Sequence, residues 1–234
     1  MNESLDELLT RIATKFVVHF EDIAIDDTPL EILQIDNMRE HLDTLLHTNA
    51  LRNPLHDLPL WAKVWPCSLV LGRLVRKYDP AGKRLLELGA GCGLVSLIAA
   101  RYGLSHIDCT DINDDAILFA KANVRKNALE DTIDVFRFDI KNAPIPDTPY
   151  DIIAASEILY LPELFDPILR FVDKALAPKG CALFATDYAR RQSKFLKKAK
   201  KRFTVTEGHI GVKSTNEAGD EERSLYTITI LTRS

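Results

Sequence analysis

Residues Pro149 to Leu164 read PYDIIAASEILYLPEL. Four apolar residues, Ile152 to Ala155, run into Ser156 and Glu157, and Tyr160 follows three positions later. A carboxylate at the end of an apolar strand is costly if it is buried and unpaired. Glutamate in this place therefore suits a cationic or hydrogen-bonding ligand. Tyr160 can face the same side as Glu157 if the chain turns helically between them. Such a pair could draw in and orient an amine-bearing side chain. The alternative is an acid at a helix start beside a packed aromatic.

A second group of residues points to a ligand with an amine and a ribose. The stretch LLELGAGCGLVS, Leu85 to Ser96, runs from a strand through a glycine-rich turn into a helix. Glycines there permit the tight turn, let a ligand approach the backbone and aim helix N–H groups at it. Glu87, just before the loop, would repel phosphates and suit a cationic or amino-bearing ligand. Asp111, in CTDIN, ends the next strand, where an acid accepts hydrogen bonds from ribose hydroxyls. Asp139, in FRFDI, ends the third, where it could accept from an exocyclic amine with the Ile140 backbone beside it. Ligands bind at the carboxyl ends of such strands, so the three acids are expected to line one crevice. Acids at strand ends also cap the helix that follows, which is the other reading of each.

These residues need a scaffold, and the chain after Trp61 supplies one. AKVWPCSLVLGRLVRKY has helical periodicity, with Pro66 fitting its first turn. KRLLELGAG, HIDCTDI, IDVFRFDI, DIIAASE and CALFATD read as strands. Between them LVSLIAARYG, NDDAILFAKANVRKNAL and LFDPILRFVDKALAPKG read as helices, and ARRQSKFLKKAKKRF as a basic one. FTVTEGHI and SLYTITIL close the chain as strands joined by the polar loop GVKSTNEAGDEER. Strands alternating with helices predict a parallel sheet with helices on both faces, and the last two strands an antiparallel pair.

Residues 1–60 differ from the rest. Leu5, Leu8, Leu9 and Ile12 have helical spacing, KFVVHFEDIAI and LEILQI read as strands around a DDTP turn, and NMREHLDTLLH reads as a helix. TNALRNPLHDLP reads as a loop. This α+β appendage has no evident core of its own and is expected to pack on a domain spanning 61–234.

Composition narrows the partners. The 234 residues are 46% hydrophobic with a net charge of −4, which offers no general attraction to phosphate backbones or anionic lipid. No apolar run approaches the ~20 residues of a membrane span, and the acidic, amphipathic N-terminus lacks a signal peptide's basic start. Cys67, Cys92, Cys109 and Cys181 are scattered without metal-ligand spacing and are expected to be reduced, buried thiols. A cytoplasmic location, no metal and no membrane partner are the expectation, with a monomer or weak dimer. Residues 190–202 hold eight Lys and Arg, which could contact RNA or an acidic protein patch; the blander reading is a solvated helix face.

The acid followed by G-x-G-x-G, here Glu87 to Gly93, resembles the hallmark of the class I S-adenosylmethionine-dependent methyltransferases. The likeness covers about Trp61 to Leu231. It implies a Rossmann-like, seven-stranded, mostly parallel sheet ending in an antiparallel hairpin. It also implies S-adenosyl-L-methionine as cofactor, leaving as S-adenosyl-L-homocysteine. By that likeness Gly89, Gly91 and Gly93 carry the cofactor loop, Asp111 and Ile112 the ribose side, and Asp139 and Ile140 the adenine, with Ser156 completing the site. WAKVWP, Trp61 to Pro66, is similar to the Trp-containing approach of the family-16 protein lysine methyltransferases, especially the branch acting on the electron-transfer flavoprotein β-subunit. There the second Trp lies against the cofactor, which points to Trp65. SEILY matches that family's [D/E]-x-x-[Y/F], whereas nucleobase and glutamine methyltransferases carry N-P-P-Y or D-P-P-Y. TDYARRQ resembles its D-x-x-R-x-Q. The resemblance implies a protein substrate presenting a lysine, with Glu157 and Tyr160 as the catalytic pair. A small-molecule amine methyltransferase, a catalytically silent cofactor-binding subunit, an RNA methyltransferase and a nicotinamide dehydrogenase are the rivals.

Overall fold

The computed structural model describes residues 3–25, 28–47, 58–215 and 221–233. Most of the expected loop after residue 47 and the tip of the last hairpin lie outside them. The described chain opens with α1 (Leu5–Ile12), β1 (Val18–Ile25), β2 (Thr28–Ile35) and α2 (Met38–His47). Helix α1 starts where Ser4 and Glu7 cap each other reciprocally, which satisfies two backbone donors that a helix start leaves open. Strands β1 and β2 form an antiparallel ladder from Val18↔Ile35 to Ile25↔Thr28.

A short 3₁₀ turn, Leu60–Ala62, leads into α3 (Pro66–Val75), whose first residue is proline. Its ring presets the helical φ, and its missing N–H would have had no partner there. Then follow β3 (Arg84–Leu88), α4 (Leu94–Arg101), β4 (His106–Asp111), α5 (Asp114–Lys126), β5 (Ile133–Arg137) and β6 (Tyr150–Ser156). The chain closes with α6 (Phe165–Ala175), β7 (Leu176–Asp187), α7 (Ser193–Ala199), β8 (Phe203–Thr215) and β9 (Glu221–Arg233). Helix α5 is held at its start by the Asn113 side chain, which accepts from Asp115 and Ala116 N–H. Acids occupy its first turn and bases its last, as the helix dipole favours.

The strands form one seven-stranded sheet in the order β5-β4-β3-β6-β7-β9-β8. The first five are parallel, and β9 runs antiparallel to both β7 and β8. The expected sheet, hairpin and helix layers are all present. Alternate residues of each strand feed two apolar layers. Leu85, Ile152, Ala154 and Leu183 pack with α3, α4 and α5; Leu86, Ile153, Ala155 and Phe184 pack with α6 and α7. Both sides of the central strands are thus sealed, and ligands are left the strand ends.

Four boundaries differ from the sequence expectation. Strand β5 stops at Arg137, two residues before Asp139, because Asp139 binds the chain turning after it. Helix α6 stops at Ala175, and the expected tail LAPKG belongs to β7, where Leu176 pairs with Tyr150. The basic helix spans Ser193–Ala199 alone. The polar loop GVKSTNEAGDEER is largely ladder, with pairs such as Val212↔Ser224 and Lys213↔Arg223. A two-stranded ladder is built from backbone groups, so it continues where apolar side chains have ended.

The N-terminal elements lie against α4 and α5. Leu30 and Ile32 of β2 are buried in the layer shared with α3 and α4, while Leu8, Ile12 and Leu33 meet Phe119 and Ala122 of α5. Each such side chain contributes roughly 1.5–3 kcal/mol on burial. Two buried asparagines join the parts. Asn123 accepts from Leu33 N–H at 2.7 Å and donates to the Cys92 carbonyl at 2.8 Å, and Asn127 bonds both backbone groups of Glu31. Among the described residues no helix is long and apolar enough to cross a membrane.

Candidate active site

The C-terminal ends of β5, β4, β3 and β6 lie side by side, and every expected site residue except Trp65 lies at or just after one of them. The glycine loop between β3 and α4 fits its place closely. A Cβ on Gly89 would come within 2.6 Å of Ile158 Cγ2, and one on Gly91 within 2.5 Å of the Trp61 carbonyl oxygen. Both have left-handed φ, +64° and +55°. The loop therefore touches the β6 turn on one side and the Trp61 segment on the other, with no room for larger residues.

Glu87 does not reach the crevice surface. It is 1% exposed, and its Oε2 accepts from Ser96 N–H at 2.8 Å and from the Ser96 hydroxyl. It thus caps α4 from the neighbouring strand. Burial pushes its carboxyl up to about 7, against the two Ser96 bonds. Asp111, 9% exposed, accepts from Gly91 N–H and from Asn113 N–H, both at 2.9 Å, and so ties the glycine loop to the end of β4. Burial raises its pKa. Asp139 is held by Lys141 N–H and the Asn142 amide, which lower its pKa, with Ile140 half-buried beside it. Each of the three acids satisfies its own turn. Burial then separates Glu87 and Asp111 from Asp139, which is only half-buried.

Ile112, the residue after β4, is 41% exposed. It borders a cavity of about 570 Å³ that Phe16, Trp61, Asn113, Asp114 and Arg137 also line. That volume lies within the roughly 300–1,000 Å³ of small-molecule sites. The cavity adjoins the Asp111 turn, and its mostly polar lining, with Lys15, Asp114, Asp115 and Arg137, surrounds the apolar faces of Phe16, Trp61 and Ile112. A nucleoside fits that chemistry: a flat apolar base, and hydroxyls for an acid. Trp61 also packs edge-on against Phe16 and Phe119, and so joins the N-terminal elements to the cavity wall.

The other half of the strand-end face holds Glu157. Its φ is +55°, a conformation uncommon outside glycine and costing roughly 1–3 kcal/mol. Its N–H donates to Ala185 O at 2.9 Å, so the departure from β6 is anchored to β7. Glu157 Oε1 accepts from Asp187 N–H at 2.6 Å and from the Cys67 thiol at 2.9 Å. Burial first, then Glu157 itself, hold that thiol protonated, well above its usual range. Arg190 Nε lies 3.0 Å from Glu157 Oε2, yet Oε2 has no aligned hydrogen-bond donor among the described residues. The arrangement is an ion pair that leaves an acceptor position open. Ser156 Oγ is likewise buried without a partner among them.

Tyr160 is 44% exposed and lies in a turn rather than on the helical stretch considered above. Desolvation, and then the charge of Asp111, raise its pKa, while Arg190 opposes them. Its phenol therefore sits electrostatically between the two halves. Trp65 precedes α3, donates its indole N–H to Leu60 O at 2.8 Å, and carries Lys63 Nζ 5.0 Å over its ring. Two residues on, α3 presents Cys67 to Glu157. Neither Cys67 nor Arg190 is an expected site residue. The D-x-x-R-x-Q likeness at Asp187, Arg190 and Gln192 was a usable signal for Arg190; nothing in the sequence marks Cys67.

The lysine methyltransferase family profile matches residues 60–202 of this chain. The chain belongs to the lysine methyltransferase family. It is an S-adenosylmethionine-dependent methyltransferase, and the expected likeness holds. Protein N-lysine methyltransferase METTL21A of Danio rerio is 32% identical over 171 residues, covering 70% of this chain and 78% of its own length. The electron transfer flavoprotein beta subunit lysine methyltransferase homolog of Caenorhabditis elegans is 37% identical over 81 residues, 34% of this chain and 33% of that protein. Among solved structures, precorrin-6y C5,15-methyltransferase of Geobacter metallireducens GS-15 superposes with a TM-score of 0.59 at 17% identity, over 71% of this chain and 87% of its own. That likeness is one of fold. In this methyltransferase the glycine loop lies against Ile158, the residue after Glu157, so the loop after β3 and the turn after β6 are neighbours.

Proposed function

We propose that this methyltransferase methylates the ε-amino group of a lysine on a protein substrate, and that Glu157 captures and orients that amine. The observation that carries the reading is the Glu157 carboxylate. One oxygen is pinned by Asp187 N–H and the Cys67 thiol; the other is buried and lacks an aligned donor. An N–H from an incoming amine fits that vacant acceptor. The relatives above, a protein N-lysine and a flavoprotein lysine methyltransferase, favour a protein lysine over a small amine.

When bound, S-adenosylmethionine supplies a methyl group on a sulfonium; as that S–CH3 bond breaks and the N–CH3 bond forms, the electron pair returns to sulfur. The chain's own groups hold the two partners. The backbone of Gly89, Gly91 and Gly93 would hold the cofactor at the loop, Asp111 and Ile112 its ribose side and Asp139 and Ile140 its adenine, with Trp65 against it and Ser156 completing the site. Glu87 supports them from below by capping α4. Glu157 accepts an N–H, which leaves the amine's lone pair to face the methyl, and positioning provides most of the rate. A carboxylate also favours the ammonium form, so Glu157 orients rather than deprotonates. The Tyr160 ring walls the channel, and its phenol stays protonated.

The test is tritiated-cofactor labelling of an extract from cells lacking the enzyme, with Glu157→Gln beside the wild type. A labelled protein band that survives nuclease and yields methyl-lysine on hydrolysis is expected, absent with Glu157→Gln. Label confined to small molecules or RNA would overturn the reading.

A further inference from the structure

A carboxylate that binds an amine works against methylating it, because it stabilises the protonated form that has no lone pair. The strand-end face deepens this problem. Asp187 lies beside Glu157, and both charges act on the Cys67 thiol; Asp111 acts on Tyr160 across the crevice. Two further groups at this face are uncharged: Cys67 is a buried thiol, and Tyr160 a phenol raised by desolvation. Arg190 is the cation that acts on both of these groups. Its Nε stands 3.0 Å from Glu157 Oε2, and its backbone N–H bonds Asp187 O at 3.0 Å, which fixes it in the turn after β7.

We propose that Arg190 is a positioning residue that keeps the acceptor amine uncharged. The inference rests on Glu157 as the amine's partner. The ion pair to Oε2 is close but not aligned as a hydrogen bond. It therefore neutralises the carboxylate without filling the acceptor position. The amine can donate one N–H to Oε2 while the guanidinium beside it disfavours a further proton, which leaves to water before transfer. Arginine suits this role because it stays charged at every working pH. The open oxygen and the ion pair are then one device: Glu157 supplies direction, and Arg190 removes the charge that would trap the ammonium.

The test is the pH dependence of tritium transfer into the labelled protein band, from about pH 6 to about pH 10, for wild type, Arg190→Gln and Arg190→Lys. With the cation gone, the ascending limb is expected about one pH unit higher, so transfer near neutrality falls about tenfold and recovers in alkali. Arg190→Lys restores the charge and is expected to keep a limb near that of the wild type. Titration calorimetry with S-adenosylhomocysteine is expected to give all three the same affinity. A limb that stays put while Arg190→Gln loses the same fraction at every pH would overturn the proposal. So would failure of Arg190→Lys to restore the limb, or loss of cofactor-product binding in Arg190→Gln, which would make Arg190 structural. If the wild type labels no protein, the lysine reading itself fails and takes this inference with it; labelling with an unmoved limb sinks Arg190 alone.

Discussion

The ends of β3 and β4 and the end of β6 are neighbours in one sheet, and they treat their acids in opposite ways. Glu87 and Asp111 spend their oxygens on N–H groups of their own loops, at Ser96, Gly91 and Asn113. Glu157 is held by a thiol, a backbone N–H from another strand and an arginine, and one of its oxygens still lacks an aligned donor. The first arrangement is a scaffold, in which buried carboxyl groups organise backbone for a ligand. The second is poised, because its carboxylate is bound too loosely to be structural alone and too tightly to be solvated. The difference teaches that a strand-end acid is informative by what it leaves unpaired.

The contrast can be broken most sharply at Glu157. Glu157→Gln keeps the shape and removes the charge, and transfer is expected to fall about 10²–10³-fold, the scale for a lost preorganised electrostatic contact. Calorimetric affinity for S-adenosylhomocysteine is expected to stay unchanged; parallel loss of both would erase the division between halves. Gly91→Ala attacks the scaffold side. Its Cβ would meet the Trp61 carbonyl at φ +55°, so about 2–5 kcal/mol of stability is expected to go. Cofactor-product binding should go with it, and unaltered melting together with full affinity would mean that the loop is not the rigid element described.

Glu87→Gln sharpens the same side through pH. The Glu87 carboxyl has an ordinary value of 4.5 and is pushed up to about 7 in the fold. The stability it contributes is therefore full below about pH 4.5 and is lost as pH rises through 7. The amide does not ionise, so the melting-temperature difference between variant and wild type should grow in the variant's favour across that window. The growth corresponds to about 3 kcal/mol. A difference independent of pH would show that Glu87 is not buried as described. Asn123→Ala is expected to have the smallest effect. It leaves Leu33 N–H and the Cys92 carbonyl without their partner and should cost about 2 kcal/mol in denaturant unfolding. At saturating cofactor, transfer per folded molecule should hold, since Asn123 braces the glycine loop and not Glu157.

Much of this was legible in the residues. Alternating apolar strands and helices predicted the sheet, the acid before G-x-G-x-G predicted the loop, and the apolar run into Glu157 predicted a carboxylate at a strand mouth. Boundaries were less legible where backbone pairing outran apolar pattern, as in β8 and β9. The grouping of Glu87 with Asp111 and Asp139 was too coarse. All three end or follow strands, but the side chain of Glu87 points beneath the loop to Ser96, and no local pattern records which way an acid points.

The sequence by itself determined the class of fold, the place of the glycine loop and the presence of an acid at the end of β6, because periodicity and turn chemistry act over a few residues. Tertiary structure alone decided which acid is scaffold and which is poised. Cys67 and Glu157 are 90 residues apart, and Arg190 reaches the same carboxylate from beyond β7. Only the packing of α3 and β7 against β6 brings a neutral thiol, a backbone donor and a cation onto one carboxylate. The charge that such a group presents to a ligand is the sum over all of them.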